Sequence, residues 1–277
     1  MRNKLTGFKL WLFWFLVIIV FGGWYYFSSS SKHLEYFKRG NNYFKQGLYD
    51  QAIAEYNKTV KIDSNFAKAY YNRGLAYYDQ ELYEQAIADY SKAIKIEPKD
   101  AEAYINRGLA YHNQELYEQA IADYSKAIEI EPKDAIAYIN RGFIYEHQEL
   151  YEQAIADYSK AIDIDSTSAK ASTNARLAAI YGSLAWCYLF NKQFKQTIKA
   201  AWKGLDIKSN QTWIRKNLAH GYLFDGQFAT AKEIYVQNKD IVIHGEPWSE
   251  VILEDFQKLK EKGIYHADME KIITLLQ

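Results

Sequence analysis

From His33 onward the chain repeats itself every 34 residues. The row 67–100 matches 101–134 at about 29 positions, and 135–168 keeps about 24 matches to the row before it. Copies of one short module cannot share a single central core, so each must bury its apolar face on its neighbours, and the fold must be an array. Within each row the apolar residues recur at three- and four-residue spacings. Midway they are interrupted by Gln-Glu-Leu-Tyr, or by Gln46-Gly47-Leu48-Tyr49 in the first row. That is the pattern of two amphipathic helices joined by a tight turn. With three prolines in 277 residues, long helices run unbroken. The expectation is an all-α solenoid of helical hairpins.

The small residues say how each hairpin closes. Gly40, Gly74, Gly108 and Gly142 fall on the first helices, and Ala52, Ala86, Ala120 and Ala154 on the second, where larger side chains would hold the backbones apart. Large residues fill the rest. Tyr36, Tyr70, Tyr104 and Tyr138 form one aromatic row, Tyr43, Tyr77, Tyr111 and Tyr145 a second, and Tyr56, Tyr90, Tyr124 and Tyr158 a third, all expected to bridge successive repeats. Pro98 and Pro132, followed by Asp100 and Asp134 as candidate N-caps, lie where one helix must stop and another start.

The pattern resembles the tetratricopeptide repeat family, whose motif is carried in the third repeat by Tyr104, Gly108, Tyr111, Ala120, Tyr124, Ala127 and Pro132. The resemblance implies a right-handed superhelical solenoid. One departure stands out: where the family has a large apolar residue before the glycine, this chain has Arg39, Arg73, Arg107 and Arg141. A recurrent arginine among packing residues needs a recurrent partner, and Asp89, Asp123 and Asp157 on the second helices are the candidates for structural ion pairs.

The array is divided as repeats 33–66, 67–100, 101–134, 135–168, 178–211 and 212–245. The fifth rests on Tyr181, Ala185, Tyr188, Phe194 and Ile207. The sixth rests on Leu218, Ala219, Tyr222, Gly226, Phe228, Ala231 and Tyr235. An insert, 169–177, is rich in alanine and should lengthen a helix. Residues 246–277 read as two helices split by Gly263, with Val251, Ile252, Phe256 and Leu259 on one face, a candidate cap for the end of the array.

Ahead of the repeats, residues 10–27 carry no charge and, as a helix, would span roughly the bilayer's hydrocarbon. Trp11 and Trp14 lie near one end, and Trp24, Tyr25 and Tyr26 near the other, where amphipathic rings favour the headgroup layer. A cleaved secretory signal is the competing reading, but the run is long for a signal core and ends in bulky aromatics. The expectation is a single-pass anchor at 10–27, between a basic segment 1–9 and a linker 28–32. Arg2, Lys4 and Lys9 before the span favour the N-terminus inside and the repeats outside the cytoplasm.

In the resembled family the first helices line a concave groove that binds peptides. Carried onto this chain, the groove positions are Phe37, Tyr71, Ile105 and Ile139 in one row and Asn41, Leu75, Leu109 and Phe143 in the next, with Tyr78 and His112 one turn further. Asn72, Asn106 and Asn140 form a third row. An amide both donates and accepts, so such a ladder can bond a peptide backbone of any sequence; equally, the same amides can be local partners for neighbouring helices. The sequence does not choose between these. Family members that grip a chaperone's terminal carboxylate use basic residues where Phe37, Glu102 and Asn106 stand here, so that specialisation is not expected.

Lys+Arg and Asp+Glu balance at 34 each, which leaves no net field to gather phosphates, and nucleic acid is not an expected partner. Cys187 has no cysteine to pair with, and its apolar neighbours predict a buried small hydrophobe. His112 and His147 lack carboxylate or thiolate companions at ligand spacing, and no phosphate loop or serine elbow occurs, so neither metal, cofactor, small-molecule substrate nor catalysis is expected. Two function classes remain: a membrane-bound scaffold or assembly adaptor for protein partners, and a factor that captures secreted or nascent chains for a membrane enzyme. Self-association through edge hairpins is open to either.

Overall fold

The computed structural model describes residues 32–166, 171–243 and 245–277. The expected basic segment, membrane span and all but the last linker residue lie outside these, as do residues 169 and 170 of the insert. Among the described residues no helix is long and apolar enough to cross a membrane.

The fold is all-α, a solenoid of helical hairpins. The hairpins are α1 (32–45) with α2 (Tyr49–Ile62), α3 (Ala67–Asp79) with α4 (Tyr83–Ile96), α5 (Ala101–Asn113) with α6 (Tyr117–Ile130), and α7 (Ala135–His147) with α8 (Tyr151–Asp165). They continue with α9 (Ala171–Phe190), α10 (Phe194–Ile207), α11 (Thr212–Phe224) and α12 (Phe228–Gln237). A short antiparallel pair, β1 (Val242–Ile243) and β2 (Glu246–Pro247), precedes α13 (Trp248–Glu261) and α14 (Met269–Leu276). The alanine-rich stretch after residue 170 belongs to the 20-residue α9.

The hairpin turn has one geometry throughout. Gly47, Glu81, Glu115, Glu149, Lys192 and Gly226 hold the same place in their repeats, and all have left-handed backbone, with φ from 57° to 81°. At the end of α3 the Glu81 N–H bonds the Tyr78 carbonyl (2.9 Å) and the Leu82 N–H bonds the Tyr77 carbonyl (2.9 Å). This paired closure satisfies helix-end carbonyls and needs a left-handed residue, which glycine supplies without steric cost and glutamate does not. Between repeats, Asp100 caps α5 through the Ala103 N–H and Asp134 caps α7 through the Ile136 N–H, as their positions predict.

The chain forms two compact units, one ending at Lys126 and the other beginning at Ala127. In the first, Ala52, Ala86 and Ala120 have no exposed surface, and the Tyr56, Tyr90 and Tyr124 rings lie over Gly40, Gly74 and Gly108. A Cβ on Gly108 would stand 2.7 Å from Tyr124 Cε1. This corrects one expectation: the third tyrosine row closes its own hairpin rather than only bridging to the next, because the missing glycine side chain leaves a ring-sized gap there.

The arginines before those glycines are paired. Arg73 reaches Asp89 through Nε and Nη2, both at 2.6 Å, and Arg107 reaches Asp123 through the same two nitrogens at 2.7 Å. Glu55 takes the acidic role for Arg39. In the second unit Arg141 and Asp157 repeat the fork at 2.8 Å. The planar guanidinium meets the carboxylate bidentately, which suits a nearly dry contact between helices.

The core of the second unit gathers Leu189, Ile214, Leu223, Trp248, Ile252, Phe256 and Leu259, all at most 1% exposed. The predicted cap is only partly an end piece. α14 does sit on the last hairpin, with Lys271 over the Phe228 ring at 5.3 Å. α13 instead lies against the first helices: its Asp255 bonds Lys216 (2.7 Å) and His220 (2.9 Å) on α11, and its Lys258 stands 5.8 Å from Trp186 on α9. Cys187 is fully buried, and burial pushes its thiol well above the ordinary range.

Candidate functional site

In the first compact unit, Phe37 and Tyr71, each the fifth residue of its repeat, turn toward the second-helix tyrosine of their own repeat. Phe37 lies 5.9 Å from the Tyr56 ring and edge-on to Phe66 at 4.9 Å, and Tyr71 lies 5.9 Å from Tyr90. Ile105, in the same row, is only 6% exposed. These three were expected to line a binding face; the packing makes them mainly supports for it, and Ile105 presents little surface. Leu75, Tyr78, Leu109 and His112 remain half-buried on α3 and α5.

The asparagine rows connect successive first helices. Asn72 Nδ2 donates to Asn41 Oδ1 (2.7 Å), which also accepts from the Tyr56 hydroxyl (2.8 Å). Asn106 Nδ2 donates to the Tyr71 hydroxyl (2.8 Å) and to the Glu102 carbonyl (3.0 Å), and Asn113 Nδ2 donates to the Tyr78 hydroxyl (2.7 Å). The amide N–H groups of Asn72 and Asn106 thus serve as local partners, whereas their Oδ1 atoms accept no bond among the described residues. In the second unit Ile139 and Asn140 are half-buried and Phe143 is 49% exposed.

That second unit also carries a cluster that the sequence reading passed over. At the repeat position of Tyr78 and His112 stands Glu146; at that of Tyr71 and Ile105 stand Gly182 and Lys216; at that of Leu75 and Leu109 stand Trp186 and His220. The signal was available as departures from the copied rows. Glu146 Oε2 accepts from the Tyr158 hydroxyl (2.7 Å), and burial raises the carboxyl above its usual range despite that bond. His220 has no exposed surface; Nε2 donates to Asp255 (2.9 Å) and Nδ1 accepts from the Tyr235 hydroxyl (2.7 Å). Burial lowers its pKa, against the pull of Asp255. Burial works to raise Asp255, yet its bond with His220 and the neighbouring Lys216 hold it below the usual range.

Beside this network lies a cavity of about 290 Å³ lined by Glu146, Trp186, Trp213, Lys216, Asn217 and Glu246. A Cβ on Gly182 would stand 2.1 Å from the Trp213 ring, so the glycine admits that indole. Asn217, 1% exposed, donates to the Gly182 carbonyl (3.1 Å), while its Oδ1 has no partner. Among the described residues no group of His, Cys, Asp or Glu could hold a metal ion.

Fold and rows together define a helical-hairpin repeat protein whose repeats over 67–168 differ mainly on their first helices. Residues 40–81 and 76–115 match the family model of the TPR repeat, and residues 101–134 and 135–168 match that of the tetratricopeptide repeat. Residues 40–168 of this chain are tetratricopeptide repeats. A crystal structure of MamA protein is 25% identical, covers 66% of this chain and 94% of its own length, and superposes with a TM-score of 0.58. PilF of Pseudomonas aeruginosa, at 16% identity, shares the fold over 76% of this chain and 92% of its own, with a TM-score of 0.60. So does YrrB, described as a TPR protein with an unusual peptide-binding site, at 19% identity over 65% and 88%, with a TM-score of 0.55. No curated protein sequence matches the chain.

Proposed function

We propose that this protein is a scaffold that binds a polypeptide partner along the first helices of its repeats and is held at a membrane by residues 10–27. The observation that carries the reading is the face of α1, α3 and α5. It offers half-buried Leu75, Tyr78, Leu109 and His112 beside the Asn72 and Asn106 side-chain carbonyls, which accept no bond among the described residues. An extended partner brings backbone N–H groups that need acceptors and side chains that need apolar contact, and these rows supply both. The peptide-binding site described for YrrB, a structure of the same fold, is consistent with it. The anchor is supported by the uncharged, aromatic-flanked run at 10–27.

A photo-crosslinking side chain at Leu109, in the full chain in its membrane, tests the reading against one at Glu118, which is exposed on α6. A discrete partner joined at 109, absent at 118 and lost in Leu75→Glu, is the expected result; a broad smear of chains points to the capture role, and equal products at both sites refute the assignment of the face. Protease added to intact cells should remove the repeats if they lie outside the cytoplasm.

A further inference from the structure

The cavity in the second compact unit is built at the same first-helix positions as the rows above, with Asn217 at the repeat position of Asn72, Asn106 and Asn140, but its neighbours differ and its chemistry is one-sided. Asn217 is buried with an unpartnered Oδ1, Glu146 is half-buried, and the exposed Glu246 adds a second carboxylate from β2. Trp186 and Trp213 supply the apolar walls. The donor among these polar groups, the Lys216 ammonium, is already fixed to Asp255 at 2.7 Å and lies 4.8 Å from the Trp186 ring centre. That placement shows the Trp186 face accepting a cation. Around the cavity, the carboxylates of Glu146, Glu246 and Asp255 outnumber the ammonium groups of Lys216 and Lys258 by one.

We propose that this cavity binds the ammonium end of an alkyl chain, presented by a partner's lysine side chain or by a free alkylamine. An ammonium has three donors and no acceptor, which answers Asn217 Oδ1 and the two cavity carboxylates together, and its methylenes lie against the indoles. A volume of about 290 Å³ admits a four-carbon ammonium chain. Burial that raises the Glu146 carboxyl would be relieved by the incoming charge. The site stands independently of the partner face on α1, α3 and α5.

The test is ligand-observed saturation-transfer NMR on the full chain in lipid nanodiscs, with three probes: N-acetyl-lysine methylamide, n-butylamine, and N-acetyl-norleucine methylamide as the uncharged analogue. The lysine probe should give saturable transfer, the norleucine probe none, and Glu146→Gln and Glu246→Gln should each weaken binding about tenfold with helicity unchanged. The glutamine at 146 can still accept from Tyr158, so loss of fold is separable from loss of charge. A lysine response exceeding that of butylamine supports the site with a polypeptide as the source; an equal response supports it with a free amine. No transfer, equal transfer to norleucine, or binding unmoved by both variants overturns the proposal.

Discussion

Replacing Asp123 by alanine should open the α5–α6 hairpin. Asp123 is 6% exposed and receives two charge-assisted bonds from Arg107, whose side chain is 18% exposed. Breaking a buried pair by removing one partner costs about 3–5 kcal/mol when the remaining charge has nowhere to go. Here Arg107 keeps its bond to Ser91 through Nη1 (2.9 Å) and retains some water, so about 2–3 kcal/mol is the expected loss. The sixth repeat supplies the control: at the positions of Arg107 and Asp123 it carries Leu218 and Ile234, with Trp202 where the preceding repeat has Ser91. The double variant Arg107→Leu/Asp123→Ile should therefore lose less than about 1 kcal/mol, since an apolar pair needs no desolvated charge. Repeat arrays open locally, so a single global unfolding energy is a poor readout. Amide hydrogen exchange resolved to α5 and α6 is the appropriate assay, and 2–3 kcal/mol corresponds to exchange roughly 30- to 150-fold faster. If Asp123→Ala changes exchange less than about twofold, or the double variant opens as readily as the single, the ion pair is not what holds the hairpin.

Gly108→Ala should destabilise the same hairpin by about 1–2 kcal/mol, because the 2.7 Å approach to the buried Tyr124 ring outweighs the gain in helix propensity; unchanged exchange at α5 would contradict the close packing. Glu115→Gly should do the reverse, slowing local opening by about 0.5–1 kcal/mol, since the turn holds this residue at φ 59°. The second unit should lose stability as pH falls below 6.5. Folded His220 has a depressed pKa and refuses a proton that the unfolded chain accepts, so its contribution is present at neutral pH and lost in acid. The groups facing it, Asp255, Lys216 and Tyr235, leave Asp255 lowered as well, which pushes in the same direction at lower pH. His220→Asn should flatten the slope of exchange against pH between 7 and 5 in α11 and α13, and an unaltered slope would assign it elsewhere.

What the chain revealed in advance was whatever it copied. A residue placed identically in four repeats, such as Arg107, names its own partner, because the acidic residue that recurs opposite it, Asp123 here and Glu55 in the first repeat, must serve every copy. The caps at Asp100 and Asp134 were legible for a different reason: they depend on backbone N–H groups one turn away. What stayed hidden was direction. The hydrophobic period places Ile105 on a first helix, but whether it faces a partner or the core depends on how far the helix is rotated, and tolerance of apolar residues on both sides blurs that angle. The β1–β2 pair was missed because two-residue strands carry no periodicity to read.

The same logic explains where chemistry concentrates. A copied array distributes its functional groups evenly, so any convergent set must come from positions where copying has lapsed. Those positions in this chain are Glu146, Gly182, Trp186, Lys216 and His220, on first helices of the unit beginning at Ala127. Three of these substitutions are answered by another residue within reach: Gly182 by Trp213, Lys216 and His220 by Asp255. Asp255 comes from α13, outside the repeats, so the first-helix face is met by a segment of the chain's own sequence. In the unit ending at Lys126 no described helix plays that part, and the side-chain carbonyls of Asn72 and Asn106 accept no bond among the described residues. The division follows from repetition itself: a face kept in register can receive something extended and external, whereas a face that has diverged can be fitted by one particular helix and keep a small cavity beside it.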